Sequence, residues 1–305
     1  MAQKKIFLFK IIGAIFALIL INFFIWFENN EKQNLLKVYF LDVGQGDAIF
    51  IETPNKTQVL IDAGENQKII RELSEIMSFF DRTIDIIIAT HGDSDHVGGF
   101  PEVIRRFEIK NYFDSGVENN NELNSEIKLL IQNEKNIKVQ KIKRGDKITL
   151  DLENNINLEI LWPPENYEID DSNERSIVAR LNYNQISFLL TGDAGIETEK
   201  KLIENLATAT NILDVDILKA GHHGSKNSSG LEFLEKISPK ITIISAGVDN
   251  KFGHPHQEVL DNLNKINSEI KNTAEDGRIL IESDGENFWI KQENYLMMPD
   301  FFRVL

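Results

Sequence analysis

The chain has 305 residues, with 48 acidic and 33 basic side chains, a net charge of −15 and 42% hydrophobic residues. That is long and apolar enough for one large domain or two smaller ones, and it excludes wholesale disorder. The acidic balance excludes a coat of basic nucleic-acid-binding surface while leaving room for a local lysine groove, and the lack of cysteine excludes disulfides, thiolate metal sites and cysteine nucleophiles.

Residues 11–27 are apolar except for Asn22, and with residues 6–9 they are just long enough to cross a bilayer as a helix. A buried core helix and a cleaved signal peptide are the competing readings. Bulky Phe23, Phe24, Ile25, Trp26 and Phe27 stand where a cleavage site needs small residues, so an uncleaved transmembrane anchor is expected. Lys4, Lys5 and Lys10 precede the segment and Glu28 and Glu31 follow it. The expected topology is single-pass in the cell membrane, with residues 1–10 cytoplasmic and everything after the 28–36 linker extracytoplasmic. The exported part is more acidic still, because the first 30 residues carry three lysines and one glutamate.

Residues 37–292 read as one layered α/β domain. Strands are predicted at 38–42 and 48–52 around the turn Gly44-Gln45-Gly46, at 58–62, and at the fully apolar 84–89. Helices are predicted at 67–80, 101–107 and 118–132, and a short strand at 110–113. Further strands are expected at 157–162, 176–183, 186–191, 215–219 and 241–245, with a closing hairpin of 279–283 and 287–291. Helices fit 197–205, 230–237 and 257–266. The tail, 293–305, carries Leu296, Met297, Phe301 and Phe302 and is expected to dock on the domain.

All six histidines fall in three short clusters. The first, His91-Gly92-Asp93-Ser94-Asp95-His96, follows the apolar strand, so four metal-ligand types sit on one loop. Alternate positions can face one side, letting His91 and Asp93 hold one ion while Asp95 and His96 hold its neighbour. The bland alternative is an acidic, solvated turn. Asp193 ends another apolar strand, where a carboxylate is often only a cap. His222 and His223 follow a third strand, flanked by small residues. Together these make a two-metal centre bridged by Asp193, with either His222 or His223 as ligand. Asp62, also at a strand end, suits an outer role, holding the first loop through hydrogen bonds.

This series resembles the metallo-β-lactamase fold superfamily. More narrowly, Asp42-Val43-Gly44-Gln45-Gly46-Asp47-Ala48, Asp93, His222-His223-Gly224-Ser225 and Gly253-His254-Pro255-His256 resemble the C-terminal hydrolase domain of the ComEC competence proteins, in the same order from about Val38 to Ile290. The resemblance implies a four-layer αββα sandwich with two divalent metal ions at one edge. It also singles out Asp47, which as a turn residue has a structural reading. Lactamases carry histidine where this chain has Asp93, and another histidine between the first cluster and the bridging aspartate. No histidine lies between His96 and His222 here. The ComEC-like Asn-x-x-Ser segment matches Asn173-Glu174-Arg175-Ser176, so Asn173 and Ser176 are expected to line that place. A site rich in carboxylate makes manganese a competitor to zinc. ComEC proteins also have a many-helix channel, which the single span here cannot form.

The implied activity is metal-dependent phosphodiester hydrolysis through a metal-activated hydroxide, with Asp95, His254 and His256 as candidate catalytic groups. His254 or His256 could stabilise the phosphate or protonate the leaving oxygen; alternatively one of them caps the helix that follows. Ser225 and Lys226 are candidate phosphate contacts, and capping by Ser228 or Ser229 is the default for that segment. The resemblance points to DNA as substrate, which the acidity opposes. The arrangement also resembles phosphorylcholine esterases, whose cell-surface phosphodiesters suit an acidic protein. A catalytically inactive, membrane-tethered binding module is the non-enzymatic alternative.

Overall fold

The computed structural model describes residues 13, 15–20, 35–116, 121–134, 136–165, 167, 171–206 and 214–293. The chain forms two compact units, 1–35 and 36–305. In the first, residues 13 and 15–20 are helical, with exposed side chains. Among the described residues no helix is long and apolar enough to cross a membrane; the rest of the expected span, like residues 294–305 of the expected tail, lies outside them.

The second unit opens with an antiparallel meander, β1 (Leu36–Phe40), β2 (Ile49–Glu52) and β3 (Gln58–Ile61). Parallel strands follow through helical crossovers. Helix α1 (Lys68–Ile76) leads to β4 (Thr83–Ala89), α2 (Ser94–Val97) and α3 (Phe100–Arg106) lead to β5 (Glu108–Asp114), and α4 (Glu122–Asn133) leads to β6 (Lys138–Lys141). A second meander comprises β7 (Lys147–Asp151), β8 (Ile156–Trp162), β9 (Val178–Tyr183) and β10 (Ile186–Leu190). It continues in parallel through α5 (Ile196–Leu206), β11 (Ile217–Lys219), α6 (Leu231–Ile237), β12 (Ile241–Ile244), α7 (Gln257–Lys265) and β13 (Glu269–Asn272). The turn α8 (Thr273–Asp276) then returns the chain to β14 (Arg278–Ser283) and β15 (Phe288–Glu293).

The result is an eight-stranded sheet, β15-β14-β1-β2-β3-β4-β5-β6, facing a seven-stranded one, β13-β12-β11-β10-β9-β8-β7. Strand β4 shows why the pattern demands two layers on each side. Its Ile86 and Ile88 enter the core between the sheets, while Ile84, Ile87 and Ala89 pack with residues of α1, α3 and α4. Both faces are dry, so the strand is apolar throughout. In the other sheet Phe188 and Leu190 of β10 face inward, and Leu189 meets the cluster holding Leu202, Phe233 and Val259 from α5, α6 and α7. This is the expected αββα sandwich.

Most predicted elements are present, with two kinds of difference. Helix α1 stops at Ile76, leaving Phe79 and Phe80 exposed in the turn before β4. Strands β6, β7 and β13 were not anticipated; each is a sheet edge. The strand expected from Ser176 begins at Val178, after a tight helical turn at Asn173–Arg175.

Candidate metal centre

The chemistry-bearing residues leave the carboxyl ends of the central strands, where loops from both sheets meet. Asp62 follows β3, His91 to His96 follow β4, Asp193 follows β10, and His222 and His223 follow β11. The β1–β2 loop brings Asp47 in from the first sheet. Gly46, at φ +119°, allows this approach: a Cβ there would lie 2.0 Å from the Asp95 carbonyl oxygen. His222, His223 and Gly224 all have positive φ, at 46°, 55° and 80°. That run of left-handed residues turns both imidazoles back over the strand end, and such strain concentrates at functional sites.

Each imidazole is held from its Nδ1 side. His96 Nδ1 lies 2.7 Å from Asp62 Oδ2, and Asp62 is itself fixed by the Thr90 amide (2.9 Å) and hydroxyl (2.7 Å). His223 Nδ1 lies 2.9 Å from the Ser245 carbonyl oxygen and 3.3 Å from Asp47 Oδ1. His91 Nδ1 meets the hydroxyls of Thr90 at 3.1 Å and Ser176 at 3.2 Å. This pattern fixes the ring and leaves the outer nitrogen to bind an ion.

The Nε2 atoms of His91, His96 and His223 and Oδ1 of Asp193 are all buried without a hydrogen-bond partner. They nevertheless crowd together. His96 Nε2 is 3.1 Å from Asp193 Oδ1, and His223 Nε2 is 3.4 Å from Asp193 Oδ2 and 3.3 Å from Asp95 Oδ2. Ligands placed about 2.0–2.2 Å from one divalent ion sit roughly 3.0–3.5 Å from one another. Close approach without hydrogen-bond alignment is what a shared cation would impose. His91 Nε2 and Asp93 Oδ2 stand 3.7 Å apart, with His91 and His96 rings 4.1 Å apart, so a second set adjoins the first. The donors fit divalent metal.

Charge points the same way. Burial opposes a charge on His96, yet Asp193 and Asp62 hold its pKa well above the usual imidazole range. Burial likewise opposes a charge on His223, and Asp193 and Asp47 overcome it. Burial would raise Asp193, but His223 and His96 hold it well below the usual carboxylate range. A dry pocket holding several carboxylates requires compensating positive charge, whether protons or metal.

Of the two adjacent histidines, His223 is buried in the centre, whereas the His222 side chain is 26% exposed with Nε2 3.8 Å from Asp193 Oδ2. Asp47 lies within 4.8 Å of ligand atoms of His96, Asp193 and His223. It faces His223 Nδ1, however, and one imidazole cannot turn both nitrogens to one ion, so Asp47 orients rather than ligates. Asp93 accepts from Ser172 Oγ at 2.9 Å. Asn173 stands beside Ser172 in the tight turn, its Oδ1 buried without a hydrogen-bond partner.

Two expected substrate contacts, Ser176 and Ser225, are buried with structural partners, and the neighbouring residues are placed as follows. Ser176 is fully buried behind His91 and accepts the Asp193 amide at 3.1 Å, so it supports the loop and does not meet substrate. Ser225 is buried in its turn, with Oγ accepting the Asn227 amide. Lys226 is exposed, and its amide donates to His256 Nδ1 at 3.2 Å. Ser228 and Ser229 do not cap α6: its cap is Gly230, and the Glu199 carboxylate accepts the Ser229 and Gly230 amides. His256 sits at the cap of α7 but makes no side-chain cap bond. Burial, with His223, His222 and His256 nearby, pushes the His254 pKa down to about 4.

Lys219 was missed. It is fully buried at the end of β11, ion-paired with Asp47, and it donates to the Gly192 carbonyl at 3.2 Å. The available signal was a lysine closing an otherwise apolar strand directly before Ala220-Gly221-His222.

Residues 41–248 match the family model described as the metallo-beta-lactamase superfamily. The chain is 30% identical over 261 residues to ComE operon protein 3 of Bacillus subtilis (strain 168), covering 80% of this chain and 32% of that protein. It is 27% identical over 247 residues to competence protein ComA of Neisseria gonorrhoeae, covering 80% and 32%. It thus spans about a third of the length of these relatives. Among solved structures, Igni18, a metallo hydrolase from the archaeon Ignicoccus hospitalis, shares the fold with a TM-score of 0.51 at 13% identity, over 85% of this chain and all of that one. The chain belongs to the metallo-beta-lactamase superfamily, as a metal-dependent hydrolase related to competence proteins.

Proposed function

We propose that the protein is a metal-dependent phosphodiesterase acting on DNA. The observation that supports it best is the set of unpartnered buried atoms on His91, His96, His223 and Asp193, flanked by Asp93 and Asp95. This set offers three imidazole nitrogens and three carboxylates, an oxygen-rich donor set compatible with zinc or manganese. When bound, a pair of such ions activates water and offsets charge on phosphoryl oxygens.

The chain's own residues supply position and hydrogen bonding. Asp62, Asp47 and the Ser245 carbonyl lock the imidazoles, and Asp193 faces both His96 and His223. His256 accepts the Lys226 amide at Nδ1, which leaves Nε2–H as a hydrogen-bond donor to a phosphate oxygen. DNA is favoured over a smaller surface phosphodiester by Phe252, which is 48% exposed and stacked on His254 at 5.6 Å, with the Lys251 ammonium 4.9 Å from the ring centroid. An exposed aromatic with an adjacent cation is a sequence-tolerant base platform. The reading includes a membrane anchor at residues 11–27, supported by their apolarity.

The test is to load the full chain with manganese or zinc and assay single-stranded DNA, duplex DNA, a phosphorylcholine ester and a β-lactam. DNA cleavage that D193A abolishes is expected. Turnover of the choline ester alone would favour the cell-surface reading, lactam turnover alone would sink the phosphodiesterase reading, and metal binding without turnover would favour a binding module. Protease added to intact cells should digest the hydrolase domain; protection until lysis would overturn the extracytoplasmic assignment.

A further inference from the structure

Beside the metal loop lies a cavity of about 450 Å³ that the chemistry above does not use. It runs from His91 and Gly92 along the cleft between α4 and the ends of β5 and β6. Asn124 of α4 donates to the Gly92 carbonyl oxygen at 2.8 Å, so the helix that forms one wall is tied directly to the metal loop.

The lining is divided. Ala89, Tyr112, Ile127 and Ile131 are buried and make an apolar interior. Lys128 and Lys141 are exposed and stand at the rim. The Asp114 carboxylate also lines the space; Oδ1 accepts the Gly116 amide at 2.7 Å, and burial pushes the carboxyl pKa up. A phosphate inside would be desolvated beside this acid, so the interior excludes phosphate and suits a flat apolar group with N–H donors at its edge. Rim lysines suit the phosphates on either side.

We propose that this cavity receives one unpaired nucleobase of a single-stranded nucleic-acid chain, and so sets the register of the strand relative to the metal centre. The inference rests on the phosphodiesterase reading. The volume lies within the roughly 300–1,000 Å³ typical of small-molecule sites, enough for one base and too small for a duplex. A paired base would have to leave its stack to enter, so the cavity favours single strands or ends.

The experiment uses the full, metal-loaded chain and a variant, S125W, which places a large side chain at the exposed cavity-lining Ser125. A second variant, Q132W, does the same from the next turns of the helix at exposed Gln132 and guards against a local failure of the first. Binding is measured with a cleavage-resistant phosphorothioate strand of about a dozen nucleotides and with an abasic strand of equal charge. The wild-type chain is expected to prefer the base-bearing strand by roughly tenfold, the scale of one well-stacked base. Both variants should lose most of that preference while keeping metal content, abasic-strand affinity and turnover of methyl 4-nitrophenyl phosphate. Equal affinity of the wild-type chain for both strands, or undiminished preference in both variants, would overturn the cavity assignment. If the wild-type chain fails to hydrolyse the small diester, the phosphodiesterase reading falls instead, and the binding comparison still decides the cavity.

Discussion

Asp62 grips His96 from behind the metal centre: Oδ2 lies 2.7 Å from Nδ1, and neither side chain is more than 1% exposed. The contact depends on the backbone, since Asp62 has φ +58° and thereby turns its carboxylate toward Thr90 and His96. Outer partners of this kind set ring orientation and ligand basicity, and their loss typically costs about 10–100-fold in metal affinity. D62N preserves the shape but weakens the hold on His96. It should retain the fold by circular dichroism and lose metal affinity by that factor in a chelator competition. Affinity equal to wild type would show that Asp62 does not orient the ligand.

The adjacent histidines separate in the same assay. His223 is buried between Asp47, Asp95 and Asp193, whereas His222 is partly exposed and farther from Asp193. H223A should therefore lower metal content by mass spectrometry well below that of H222A. The opposite order would reverse their roles.

The strand ends that carry the site were legible because their strands are buried on both faces. Segments such as Ile84 to Ala89 announce themselves as apolar runs, and the histidine and aspartate clusters follow immediately. Strands β6, β7 and β13 escaped because each is a short sheet edge made mostly of polar residues. The sequence Lys138-Val139-Gln140-Lys141 is exposed throughout and has no apolar face to reveal it. Charged edges discourage pairing with other chains, so the feature that protects the sheet hides the strand. Ser176 and Ser225 misled for a related reason. A serine beside a ligand reads equally as a substrate contact or as a buried prop, and only the three-dimensional placement separates the two.

Lys219 and Asp47 form a buried ion pair at the base of the centre, each no more than 2% exposed at the side chain. Burial would raise the Asp47 carboxyl, but Lys219 and His223 together hold it below its ordinary value. Removing one partner strands a charge, at a cost of about 3–5 kcal/mol. K219M should lower unfolding free energy by that amount in denaturant titrations. Adding D47N to K219M should recover a substantial part, because the orphaned carboxylate is gone. Additive losses in the double variant would mean the two residues act independently.

Glu199 gives the protein a distinct pH dependence away from the metal ligands. It is buried, and burial together with Glu174 raises its carboxyl to about 7, even though the Ser229 and Gly230 amides favour the ionised form. A folded pKa above the ordinary value means that the native state holds this proton more tightly than the unfolded chain. The associated stability is therefore complete below about pH 4.5 and is lost as pH rises through about 7, a total on the order of 3 kcal/mol. E199Q carries no titrating proton, so the difference between it and the wild-type chain isolates this group from every other one. That difference should shift in favour of E199Q as pH rises from 4.5 to 8, measured by denaturant unfolding at each pH. A stability difference that stays flat across this range would show that the Glu199 carboxyl titrates as an ordinary one.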